Sequence, residues 1–136
     1  MKLPGQHKYR VSPAEQRTYN GKVYASKLES RYAGFLHAMM GHGDVVDVVE
    51  QPRLWLGVRE NVYVPDFLII GERNLCNDKA VCYYVDCKGV KTAKFRRDVK
   101  LWRAYGRLPL HIVVDDRKGG FKTDEVVEPG ATSPVS

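Results

Sequence analysis

Two short runs, Val64-Pro65-Asp66-Phe67 and Val85-Asp86-Cys87-Lys88-Gly89, each set an acid inside an otherwise apolar, strand-like stretch. An ionised carboxylate in a strand core is unfavourable unless something compensates it. The chain must therefore fold so that a partner meets both acids. Alternation fixes part of the geometry: Asp86 and Lys88 share one strand face, roughly 7 Å apart along it. Asp66 shares its face with Val64 and Leu68. If the two strands pair antiparallel through the polar residues 71–79, both aspartates reach one sheet edge.

The surrounding pattern supplies the elements. Tyr19-Asn20-Gly21-Lys22-Val23-Tyr24 predicts a hairpin, because Asn-Gly favours a type I′ turn. Ser26 can cap a helix running to about Met40, with Leu28, Tyr32, Phe35, Leu36 and Met39 as its buried stripe. Residues 45–56 form a β-rich segment broken near Pro52, 63–70 a second strand and 80–88 a third. A second helix is expected over Ala93–Tyr105, stopped by Gly106, before a nearly continuous apolar strand over 108–115. Residues 1–17 are expected to form a flexible basic leader, 18–116 one domain, and 117–136 a flexible tail rich in Gly, Pro, Ser and Thr. Helix, three strands, helix, strand gives an α/β domain whose mixed sheet is flanked by helices.

Composition narrows the class. At 136 residues, one domain with a modest core is feasible. An odd cysteine count, with no paired CxxC spacing, argues against a disulfide framework or a zinc site and for a reducing, cytoplasmic setting. The absence of a long apolar run excludes a membrane helix. A formal charge of +6 makes a polyanionic partner plausible without identifying it. Scattered histidines and unpartnered serines leave nucleophilic catalysis without a case, and no phosphate-cradling glycine loop is present.

Acids beside a lysine suggest a divalent cation such as Mg²⁺, a polarised water and phosphodiester hydrolysis. Asp66, Asp86 and the carbonyl of Cys87 could supply oxygen ligands. Lys88 could orient the water or stabilise charge on the phosphate. The bland alternative is a salt bridge between Lys88 and either aspartate. Glu29 adds weight, because on a helical wheel it falls within the apolar stripe between Leu36 and Met40. There it would need a partner, unless it reaches water at the stripe's margin. Seven basic residues and one acid, Asp98, lie between positions 88 and 103. Lys91, Lys94, Arg96, Arg97, Lys100 and Arg103, with Lys27 and Arg31 on the first helix, are the candidate DNA-binding residues. They would hold backbone phosphates, or else form an ordinary solvated face.

Glu29, then Pro65-Asp66, then Asp86-Cys87-Lys88 resembles the signature of the PD-(D/E)xK nuclease superfamily, whose restriction-endonuclease-like core has a similar order of elements. Residues 63–68 and 85–89 resemble the phage endonuclease I group of Holliday-junction resolvases. Residues 20–32, with Gln51-Pro52, resemble a phage-associated branch of that group. The resemblance implies metal ligation by Asp66, Asp86 and the Cys87 carbonyl, with Glu29 acting directly or through water. It implies Lys88 as the catalytic lysine and a Mg²⁺- or Mn²⁺-dependent cut in branched DNA by a homodimer. The rivals are a restriction- or transposase-like nuclease on linear duplex, and a DNA-binding module without catalysis.

Overall fold

The structure is a computed structural model that describes residues 11–58, 60–73 and 79–130. Its centre is a five-stranded mixed sheet in the order β3-β6-β7-β8-β9, made of β3 (Asp47–Glu50), β6 (Phe67–Arg73), β7 (Ala80–Cys87), β8 (Leu110–Asp115) and β9 (Phe121–Val127). Two small hairpins accompany it: β1 (Thr18–Tyr19) with β2 (Lys22–Val23), and β4 (Leu54–Trp55) with β5 (Val62–Tyr63). Asn20 and Gly21 both have positive φ (53° and 82°), as the type I′ turn requires.

Helices α1 (Lys27–Gly41) and α2 (Ala93–Tyr105) stand over two separate cores. Tyr32, Ala33 and Leu36 of α1 pack with Phe67, Ile69, Tyr83, Val85 and Val113. Phe95, Val99 and Trp102 of α2 pack with Leu110, Ile112 and Val127. Consecutive strand residues Ile112 and Val113 belong to different cores, so the sheet is covered on both faces. β7 and β8 are parallel and joined through α2, whereas β6 and β7 are antiparallel with Phe67 opposite Val85. No helix among the described residues is long and apolar enough to cross a membrane.

Four expectations need correction. The segment after residue 117 is not all tail: six of the seven residues of β9 pair with β8, and Val127 is fully buried. Its sequence, with Lys122, Thr123, Asp124 and Glu125 between apolar residues, hides an edge strand that buries little except its end. Residues 11–17 are tied down rather than loose, because the Arg17 guanidinium donates to the carbonyls of Ser12 (2.8 Å) and Tyr24 (2.7 Å). Residues 1–10 and 131–136 of the expected leader and tail lie outside the described residues. The expected second strand is two strands, β5 and β6, because Pro65 has no N–H to continue a ladder. Phe35 is exposed rather than buried, in ring contact with Tyr32 and Phe121.

The two faces of β9 separate strand from tail. Val127→Asp should destabilise the fold by about 3 kcal/mol or more, by placing an unpaired charge in the core. Val126→Asp, on the exposed face, should stay within about 0.5 kcal/mol. Urea unfolding of both variants checks this; equal, negligible effects would mean that the segment is not a strand.

Candidate metal centre

The site forms where β7 ends. The β6–β7 register brings Asp66 and Asp86 to the same sheet end, one step beyond the Phe67–Val85 pair, and the Asp66 N–H donates to the Val85 carbonyl (3.0 Å). Asp66 caps the neighbouring strand in turn: its Oδ2 accepts the Cys87 N–H at 2.7 Å. Asp86 is buried and accepts the hydroxyl of Tyr63. Lys88 Nζ stands 3.5 Å from Asp86 Oδ2 and 4.9 Å from the centre of the Phe95 ring. The salt bridge weighed from the sequence is therefore real for Asp86.

Glu29 comes from the other side. Ser26 caps α1 by accepting the Glu29 N–H (3.0 Å), which fixes Glu29 in the first turn. Its side chain is 3% exposed, as its place in the apolar stripe predicts, and Oε1 is buried without a hydrogen-bond partner. Such an orphaned acceptor is costly and rare in folded chains.

The acids feel one another. Burial raises the Glu29 carboxyl above its usual range, and the charge of Asp86 raises it further. Burial, then Asp86, then Glu29 push Asp66 far up; the Cys87 N–H offsets only part of this. The Cys87 thiol is also driven up, by burial and then by Asp66, Glu29 and Asp86, so it stays protonated. Its available donor is the backbone carbonyl. As they stand, no three His, Cys, Asp or Glu side chains among the described residues close into a metal-holding group. The carboxylates crowd together while Tyr63, Lys88 and the Cys87 N–H take up some of their oxygens. The donor set suits a hard cation: it is all oxygen, mutually repulsive, and includes one buried oxygen with nothing to bind.

Three residues near these acids carried no functional weight in the sequence. Tyr63 orients Asp86, and its own hydroxyl is held protonated by burial and by that carboxylate. Glu50 ends β3, pairs with Lys22 and accepts the Tyr24 hydroxyl at 3.2 Å, which helps raise the Tyr24 pKa to about 12. Glu50 also acts on Glu29. Its place as an acid closing the β-rich run Asp47-Val48-Val49-Glu50 was the available signal. Tyr63 offered none, since only the break at Pro65 aims it at Asp86.

The basic residues divide. Lys27, Arg96 and Lys100 are exposed with no ion pair among the described residues. Arg97 donates to Asn61 Oδ1 at 3.2 Å, and Lys94 pairs with Asp98 one turn along α2. Arg31, Lys91 and Arg103 pair with Asp115, Asp124 and Glu125. Those three acids lie at the end of β8 and on β9, so the last strand neutralises part of the surface expected to face phosphates. A groove of about 510 Å³ opens beside Lys88, lined also by Gly89, Arg117 and Lys122 and by the acids Asp115 and Asp124.

The raised carboxyls set a pH dependence. Folded Glu29 and Asp66 bind protons more tightly than in the unfolded chain, so their contribution to stability is fully present below the ordinary carboxylate range. It is lost as pH rises through their folded values. Metal-free protein should therefore melt at a lower temperature at about pH 8 than at about pH 5. Glu29→Gln should flatten that slope and raise the melting temperature at the higher pH by about 3–5 °C, the shift expected from about 1 kcal/mol in a domain of this size. Calorimetry in EDTA at the two pH values checks both outcomes.

No protein-family model, curated protein or solved structure matches the chain.

Proposed function

We propose that the protein is a metal-dependent DNA endonuclease that hydrolyses phosphodiester bonds at this site. The observation that carries the reading is a buried carboxylate oxygen without a partner, Glu29 Oε1, beside two further acids and a lysine at the end of β7. Purely structural acids are matched by donors; here the Ala25 N–H meets the Glu29 carboxylate but Oε1 is left over.

Asp66, Asp86 and the Cys87 carbonyl would hold Mg²⁺ or Mn²⁺, with Glu29 joining directly or through water. A bound cation of that kind supplies a polarised phosphate and a water that ionises more easily. The chain does the remaining work. Tyr63 holds the Asp86 carboxylate in place. Lys88, anchored between Asp86 and Phe95, presents its ammonium to the groove, where it would orient the attacking water or balance charge growing on the phosphate. Arg96 and Lys100 on α2 and Lys27 on α1 would bind backbone phosphates, giving affinity without sequence information.

The resemblance drawn from residues 20–32, 63–68 and 85–89 extends the proposal to branched DNA cut by a homodimer. A non-catalytic DNA-binding module explains the cations but not the acids, since carboxylates repel a polyanion.

Incubation with a four-way junction and a matched linear duplex, in Mg²⁺, Mn²⁺ or EDTA, tests this. We expect metal-dependent cleavage favouring the junction, and a loss of at least about 10²-fold in Asp86→Asn and Lys88→Ala. Equal cutting of both substrates would remove the branch preference and favour a linear-duplex nuclease. No cutting of either would overturn the enzyme assignment.

A further inference from the structure

A second concavity lies on the α2 side of the sheet, and the proposed reaction does not use it. It encloses about 320 Å³ between the β4 segment and the end of α2. Its walls are aromatic: Trp55, Tyr84, Trp102 and Tyr105, with Arg53 and Arg107 also lining it and no acid among the lining residues. Neither arginine is ion-paired with a described residue, in contrast to Arg31 and Arg103.

Part of the wall packs closely against the backbone. Gly57 has φ +88°, and a Cβ there would lie 2.7 Å from the Tyr105 ring. A Cβ on Gly106 would lie 2.6 Å from Trp102 Nε1, which donates to the Leu108 carbonyl at 2.9 Å. The backbone thus closes directly against two of the rings. Trp55, by contrast, is 54% exposed and stacks on no other ring among the described residues. A large ring left open to water beside two unpaired guanidiniums suits a planar ligand that carries negative charge.

The pocket also communicates with the candidate centre. The Tyr63 ring packs edge-on against Trp102 at 5.7 Å, and its hydroxyl bonds Asp86. One aromatic side chain therefore separates the pocket wall from the proposed metal ligands.

We infer that this pocket holds an unpaired nucleotide of the substrate, its base stacked on Trp55 and Tyr105 and its phosphate on Arg53 and Arg107. This rests on the nucleic-acid reading of the site and deepens it, because a base close to the cut then leaves its stack, as it can where stacking is interrupted at a branch. A base in a duplex has both faces covered by its neighbours, whereas an unpaired base offers a free face to an aromatic ring.

Fluorescence anisotropy in EDTA tests the inference without requiring cleavage. The probes are a labelled duplex bearing an unpaired thymidine tract and a fully paired duplex of equal length. Trp55→Ala and Arg107→Ala, both at exposed positions, should weaken binding of the tract-bearing DNA by about tenfold and leave the paired duplex unchanged. Trp55→Phe should restore binding. An equal loss on both probes, or none on either, would overturn the pocket while leaving the nuclease proposal standing. Failure of the unaltered protein to bind either probe would overturn the nucleic-acid reading and the pocket with it. Melting curves of each variant confirm that the fold is retained.

Discussion

Repulsion among buried carboxylates at one sheet end is the constraint around which the rest of the molecule is arranged. Glu29 arrives from a helix, Asp66 from the residue before β6 and Asp86 from β7; Asp86 raises the proton affinity of the other two, and Glu29 raises that of Asp66. Both hydrophobic cores contribute to keeping them there. The α1 core presses Glu29 inward through Leu28, Tyr32 and Leu36, and the α2 core carries Tyr63 and Phe95, which touch Asp86 and Lys88. A fold that only needed stability would gain by removing a charge of this kind. Retaining three acids there is what the proposed metal site would require.

Periodicity made much of this readable. Asp86 stands next to Cys87 at the end of β7, and Lys88, two residues on and just past the strand, reaches back to within 3.5 Å of Asp86, as the spacing allows. Glu29 could be placed on the buried side of α1 from its angle on the wheel. Helix α2 has the expected bounds because Thr92 caps it through the Phe95 N–H and Gly106 follows its last turn. The polar stretch between the acidic strands does join an antiparallel pair, so Asp66 and Asp86 meet.

What could not be read depended on long-range partners. β9 is a strand because β8 offers it an edge, and its acids are tolerated because Lys91 and Arg103 meet Asp124 and Glu125. No local pattern in Phe121–Val127 announces that pairing. The same contacts divide the basic surface into a neutralised part near β9 and a free part around Arg96, Lys100 and Lys27. Counting cations along the chain could not make that division. The aromatic pocket is likewise assembled from the β4 segment and the end of α2, which are about fifty residues apart.

Titration calorimetry with Mn²⁺ in two buffers of different ionisation heat bears most directly on the central claim. If the crowded carboxylates are the ligands, binding near neutral pH must expel protons from them, and the observed heat will change with the buffer. Asp66→Asn or Glu29→Gln should reduce both the affinity and the proton count. Buffer-independent heats, or binding that both variants leave unaltered, would contradict the assignment of these side chains to a cation.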